Sequence, residues 1–114
     1  MTNGLTFETE EQGGKLIFHL SGRLDATSSP NLESKVNEQI ESGHKDLVFD
    51  FGNVEYLSSA GMRLLLSATR RLANNGGKLC ICTVDDEVME IIKVAGFERI
   101  LNIYSTEKEA LSSF

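Results

Sequence analysis

Apolar and polar positions change period several times along the chain, and each change marks an element. Leu5, Phe7 and Thr9 alternate with Thr6, Glu8 and Glu10, the period of a half-buried strand. Gln12-Gly13-Gly14 is turn sequence. Leu16, Phe18 and Leu20 then alternate with Ile17, His19 and Ser21, so the two segments predict a hairpin. After Gly22-Arg23-Leu24-Asp25, Ser28-Ser29-Pro30 supplies a helix start, with Ser29 as cap and Pro30 in the first helical position. Leu32, Val36 and Ile40 recur every four residues as one apolar stripe, and Gly43 ends that helix. Asp46-Leu47-Val48-Phe49-Asp50-Phe51 does not alternate, which predicts a central strand covered on both faces.

Strand, crossover helix and strand make a parallel, right-handed unit. Asp25 and Asp50 then follow or end parallel strands and are predicted to share the C-terminal edge of the sheet, where open α/β sheets commonly place their sites. A short loop leads from this strand to Ser58-Ser59-Ala60-Gly61, and a helix runs from roughly Ala60 to Asn74. Its helical repeat puts Arg63, Ser67, Arg70, Arg71 and Asn74 on one arc and Leu64, Leu65, Ala68 and Leu72 on the other. Met62 and Leu66 fall at the edge of the apolar arc, where they either contact a partner or pack the flank.

Asn75-Gly76-Gly77 stops the helix, and Lys78 to Thr83 reads as the next strand. Asp85-Asp86-Glu87 opens a helix with acids at its positive end; Val88, Ile91, Ile92 and Ala95 form its apolar side and Gly96 closes it. Arg99 to Ile103 suits a short edge strand. Thr106 and Glu109 have capping-box spacing for a last short helix anchored by Ala110 and Leu111. The expected fold is a mixed α/β domain: a mostly parallel sheet of four or five strands packed by about four helices.

Length and composition narrow the function classes. The 114 residues suit a single domain over positions 1–114, with 40% hydrophobic and 25% charged residues. With 17 acidic against 11 basic residues the formal charge is -6, which argues against nucleic acid and against an anionic membrane surface. Met1-Thr2-Asn3-Gly4 lacks the basic and apolar regions of a signal peptide, and no run is long enough to insert in a membrane. Cys80 and Cys82, two apart on one strand, have poor disulfide geometry and read as buried reduced thiols, which fits a cytoplasmic protein.

Catalytic apparatus is scarce. There is no phosphate-binding GxxxxGK[ST] loop and no Gly-x-Ser-x-Gly elbow, and neither histidine has a nucleophile nearby in sequence. His19 reads as a lone, satisfied or half-exposed side chain. Asp85-Asp86 has the simpler explanation of helix-end charge. What remains is Ser58-Ser59 at a helix start. Serine there is first of all a cap, and the small Ala60-Gly61 pair lets the first turn form close to the preceding chain.

Three stretches together resemble the STAS domain family: Gly22-x-Leu24-Asp25 after a strand, Leu47-Val48-Phe49-Asp50-Phe51, and Val54-x-Tyr56-Leu57-Ser58-Ser59-Ala60-Gly61. The resemblance runs from Leu5 to about Leu111 and is greatest to small single-domain bacterial anti-sigma-factor antagonists. It implies a protein that is not an enzyme and needs no cofactor or metal. In its unphosphorylated form such a protein binds an anti-sigma factor that is also a serine kinase, and so frees the sigma factor. Phosphorylation at the helix-start serine ends binding, and a phosphoserine phosphatase resets the switch.

By position the implied acceptor is Ser59, with Ser58 competing. Many phosphorylated members carry an aspartate just before the acceptor; here that position is Ser58. Asp25, Ser58, Gly61, Met62, Arg63 and Leu66 are the residues expected to bind the partner or shape the site. Two other readings stay open: a STAS scaffold or accessory subunit of a signalling or transporter complex in which the serine is only a cap, and a small-ligand or nucleotide-binding protein using the edge near Asp25 and Asp50.

Overall fold

The hairpin alternation carries straight into the sheet. In the computed structural model, which describes residues 4–114, β1 (Leu5–Gln12) pairs antiparallel with β2 (Lys15–Leu24), with Gln12 opposite Lys15. Gly13 and Gly14 make the connection with φ of 55° and 84°, the left-handed values that a two-residue hairpin demands. The expectation about a leader at Met1 to Asn3 lies outside the described residues.

Three parallel pairings extend this ribbon. β3 (Asp46–Leu57) lies beside β2, β4 (Lys78–Cys82) beside β3, and β5 (Asn102–Tyr104) beside β4, so the strand order in space is the order in sequence. The connections are α1 (Ser29–Glu41), α2 (Ser59–Asn74) and α3 (Asp86–Val94), and α4 (Glu107–Ser112) follows β5. The mixed five-stranded sheet with four helices is the fold expected.

Alternation along β2 sorts the core into two layers. Leu16, Phe18 and Leu20 face the main layer, with Leu32 and Val36 of α1, Leu65 and Leu72 of α2, and Val88 and Ile92 of α3. Ile17 points the other way and joins Val48, Cys80, Cys82 and Ala110 of α4. Phe18, Phe49 and Phe51 are fully buried, and the Phe18 and Phe49 rings meet edge-on with centroids 5.3 Å apart. Each such side chain contributes about 1.5–3 kcal/mol by leaving water. Among the described residues no helix is long and apolar enough to cross a membrane.

Four local expectations are corrected. The loop placed after Phe51 is strand: β3 continues to Leu57 alongside β2. Between His19–Asp50 and Ser21–Asn53, and again between Gly22–Val54 and Arg23–Tyr56, β3 advances one residue more than β2. Each extra residue is a bulge, and a bulge converts the inward spacing from two to three. Phe51, Val54 and Leu57 are accordingly all buried, which is why the stretch did not read as a strand.

The helix cap is the second correction. Ser28, not Ser29, precedes α1, and Ser29 and Pro30 are its first residues; Ser28 does not cap through its side chain because its hydroxyl is bonded within the preceding turn. Third, the edge strand lies at Asn102–Tyr104, since Phe97 to Ile100 form a turn in which Ile100 N donates to Phe97 O. Fourth, the two aspartates do not share an edge. Asp50 pairs with His19, whereas Asp25 lies beyond Leu24, which pairs with Leu57. At about 3.3 Å per residue Leu24 is roughly 16 Å along the strand from His19, and Asp25 lies one residue further.

Candidate functional site at the start of α2

The site is built where the ends of β2 and β3 meet. Ser58 N donates to Leu24 O at 2.9 Å, which closes the pairing and holds the start of α2 against the end of β2. Ser58 itself is extended (φ -91°, ψ 175°), and its Oγ accepts from Gly61 N at 3.2 Å while its carbonyl accepts from Met62 N at 2.9 Å. It is therefore the helix cap, satisfying an N–H that the helix cannot.

Ser59 is the first residue of α2. It is exposed, and its hydroxyl has no hydrogen-bond partner among the described residues. The two adjacent serines thus differ in role: one hydroxyl is spent on the helix and the other faces solvent.

Gly61 is what lets α2 come this close. A Cβ at this position would lie 2.7 Å from Leu24 O, 2.8 Å from Leu57 Cδ1 and 2.9 Å from Leu24 Cγ. No side chain fits there, because one of the three obstacles is backbone. Met62 is only 4% exposed and belongs to the main core. Its outer surface, with Ser58, Ser59, Arg63, Ile91, Ala95 and Phe97, lines an open groove of about 270 Å³ between α2 and the end of α3. Leu66 is half-buried against the core and is not among the groove residues. Arg63 is exposed at the groove and makes no ion pair with a described residue.

Asp25 stands one residue past Leu24 and is held inside its own turn. Its Oδ1 accepts from Thr27 N at 3.0 Å and Ser28 N at 3.1 Å. Ser28 Oγ accepts from Asp25 N and donates to Arg23 O at 2.7 Å. The Ser28 N–H first, then Thr27 N–H, the Ser28 hydroxyl and Arg23, hold the Asp25 carboxyl below its ordinary value. The carboxylate's hydrogen bonds among the described residues run to Thr27 and Ser28 of this turn, and none runs to a serine of α2. Arg23 also stacks on Tyr56, 4.3 Å from the ring centroid, tying the same two strand ends together.

A second cluster, invisible along the chain, forms on the α4 face of the sheet. His19 is not alone: Nε2 meets Glu10 Oε1 at 2.7 Å, Nδ1 meets Asp50 Oδ2 at 2.9 Å, and Glu107 Oε1 of α4 lies 3.9 Å from Nδ1. Glu10 above all, then Asp50, raises the imidazole pKa by hydrogen bonding to the charged form, and partial burial opposes them. His19, Asp50 and Glu107 each offer a ligand atom within 4.8 Å of the others, so they are the described group closest to a cation site. Both ring nitrogens already have carboxylate partners, which explains the arrangement as an ionic tie between β1, β2, β3 and α4. Asp50 Oδ1 also accepts from Gly52 N at 2.9 Å, at the first bulge of β3. The sequence signal was partial: hairpin register brings β1 glutamates beside His19, but Asp50 and Glu107 arrive only through strand pairing and helix docking.

The mixed sheet, its helical face and the helix-start serines together define a small α/β module with a surface site and no evident catalytic centre among the described residues. The STAS domain model matches residues 6–110, and the chain belongs to that family. The Bordetella bronchiseptica protein BtrV, named by inference as an anti-sigma factor antagonist, is 30% identical over 101 residues, covering 89% of this chain and 87% of its own. The anti-sigma F factor antagonist of Paenibacillus polymyxa is 28% identical over 109 residues, covering 95% and 93%.

Among solved structures, the anti-sigma factor antagonist SpoIIAA in its unphosphorylated form superposes with a TM-score of 0.80 at 21% identity, covering 95% of both chains. The Bacillus cell fate determinant SpoIIAA in its phosphorylated form gives 0.72 at 20% identity, covering 95% of this chain and 98% of its own.

Proposed function

We propose that this protein is an anti-sigma-factor antagonist whose binding is switched by phosphorylation of Ser59. The observation that carries the reading is the division of labour between the two serines. Ser58 caps α2, and Ser59 presents an exposed hydroxyl beside an apolar groove lined by Met62, Ile91, Ala95 and Phe97. The relatives named as antagonists, and a fold neighbour solved with and without phosphate, support it.

In the unphosphorylated state the groove and the adjoining hydroxyl receive the anti-sigma factor, and the sigma factor is released. When that partner acts as a kinase, the γ-phosphoryl group passes from its bound ATP to Ser59 Oγ. The hydroxyl proton leaves to a base of the kinase, and ADP departs. The product carries about -1.5 to -2 charges and three acceptor oxygens at the mouth of an apolar surface.

The helix tolerates this group, because its first turn is the positive end of its dipole. The interface does not. Closing a partner over the groove would strip water from a dianion, and a loss of ~1.4 kcal/mol already weakens binding tenfold. A phosphatase then restores the hydroxyl.

The test uses the full chain with an anti-sigma kinase and ATP, followed by intact mass. One phosphate is expected on the wild type and on Ser58→Ala, and none on Ser59→Ala. Partner affinity should fall at least tenfold for Ser59→Asp relative to Ser59→Ala. Equal affinity for all forms, or phosphate that persists in Ser59→Ala, overturns the reading.

A further inference from the structure

We propose that Arg63 is the internal counter-ion of the Ser59 phosphate, so that the switch also removes a cation from the docking surface. This rests on Ser59 being the acceptor and concerns what the phosphate does once attached. Ser59 and Arg63 are four residues apart on α2, so their side chains lie on one face about one turn from each other. Both line the same groove.

The groove side of α3 and the turn after it contribute Ile91, Ala95 and Phe97, none of them charged. On the other flank, α1 brings Glu33 to a second groove that Arg63 also lines, yet no Arg63–Glu33 ion pair forms. Arg23, at the same end, is engaged: it stacks on Tyr56 beside Asp25. In the last turn of α2, Arg71 donates to Asn37 Oδ1. Arg63 is an exposed guanidinium standing between two grooves without a partner among the described residues.

A phosphate on Ser59 changes that balance. A negative group at the first helical residue followed by a cation four positions on is the favourable order for a helix pair. The guanidinium fork matches phosphate oxygens two at a time. In the hydroxyl state Arg63 is available to a carboxylate of the partner; in the phosphorylated state it is drawn back along its own helix. Phosphorylation therefore adds a dianion to the surface and withdraws the cation beside it, and both changes act against the same partner.

The experiment places phosphoserine at position 59 during translation, so the result does not depend on any kinase. Titration of the phosphate by ³¹P NMR is compared in the full chain, in Arg63→Gln, in Arg63→Lys and in Arg70→Gln, an exposed arginine further along the helix. Arg63→Gln is expected to raise the proton affinity of the phosphate, seen as a higher second pKa, by roughly 1.4- to 2.3-fold, as for an exposed ion pair one turn apart. Arg63→Lys should restore part of the shift, and Arg70→Gln should leave it unchanged. An unchanged titration in Arg63→Gln, or an equal shift in Arg70→Gln, overturns the pairing. Failure of the kinase to modify Ser59 would instead count against the proposed function and would leave this titration readable.

Discussion

Gly61→Ala tests the geometry that holds the site together. The new methyl would meet Leu24 O at 2.7 Å, Leu57 Cδ1 at 2.8 Å and Leu24 Cγ at 2.9 Å. Leu57 can rotate, but Leu24 O already accepts from Ser58 N and cannot retreat without breaking that bond. Relief requires α2 to lift away from the end of β2. Overpacking of this kind costs about 1–3 kcal/mol, and the better helix propensity of alanine returns at most about 1 kcal/mol. The expected net loss is about 1–2 kcal/mol. With a urea slope of about 1–3 kcal/mol/M, the unfolding midpoint should fall by roughly 0.3–2 M with the slope unchanged. Partner affinity should fall with it, since lifting α2 moves both Ser59 and Met62. A midpoint equal to wild type, or raised as propensity alone predicts, would refute the close approach as the reason for glycine.

Three further outcomes follow from the same structure. Ser58→Ala should cost about 0.5–2 kcal/mol in thermal or urea unfolding through loss of the cap, while Ser59→Ala stays within about 0.5 kcal/mol; equal losses would contradict the division of roles. His19 has a raised folded pKa, so its stabilisation is complete below the unfolded value near 6.5 and fades as pH rises through the folded one. The stability advantage of wild type over His19→Gln should therefore shrink as pH rises above about 6.5. Parallel stability curves for the two proteins would rule that out. Finally, burial pushes the Cys82 thiol up to about 11 and raises Cys80 as well, so neither should react with iodoacetamide at pH 8 until the chain unfolds. Rapid labelling of the native protein would show that the α4 face opens.

Much of the architecture was legible because a local pattern carried it. The hairpin period, the four-residue stripe of α1, the acidic opening of α3 at Asp85-Asp86-Glu87 and the Thr106–Glu109 spacing each depend on neighbours in sequence. Asp85 Oδ1 accepts from Val88 N at 2.8 Å, and Thr106 Oγ1 accepts from Glu109 N at 3.1 Å. The serine loop was legible in outline for the same reason. Its strand was not, because a bulge changes hydrophobic spacing only relative to a partner strand. Position along β2 and β3 likewise separated Asp25 from Asp50. The His19 cluster stayed hidden because its members are distributed over β1, β2, β3 and α4.

The sequence by itself determined the elements, their order and the presence of two hydroxyls at the start of α2, since propensity, capping and periodicity are properties of consecutive residues. Only the tertiary structure decided which hydroxyl is committed to the helix and which is exposed. That choice depends on where Leu24 O holds Ser58 N and on how closely Gly61 lets α2 approach the sheet. It also decided that Met62 belongs to the core while flooring a groove, because α3 builds the opposite wall from residues some thirty positions downstream. Contacts between elements set the function of these side chains, and those contacts have no signature in the local pattern that forms each element.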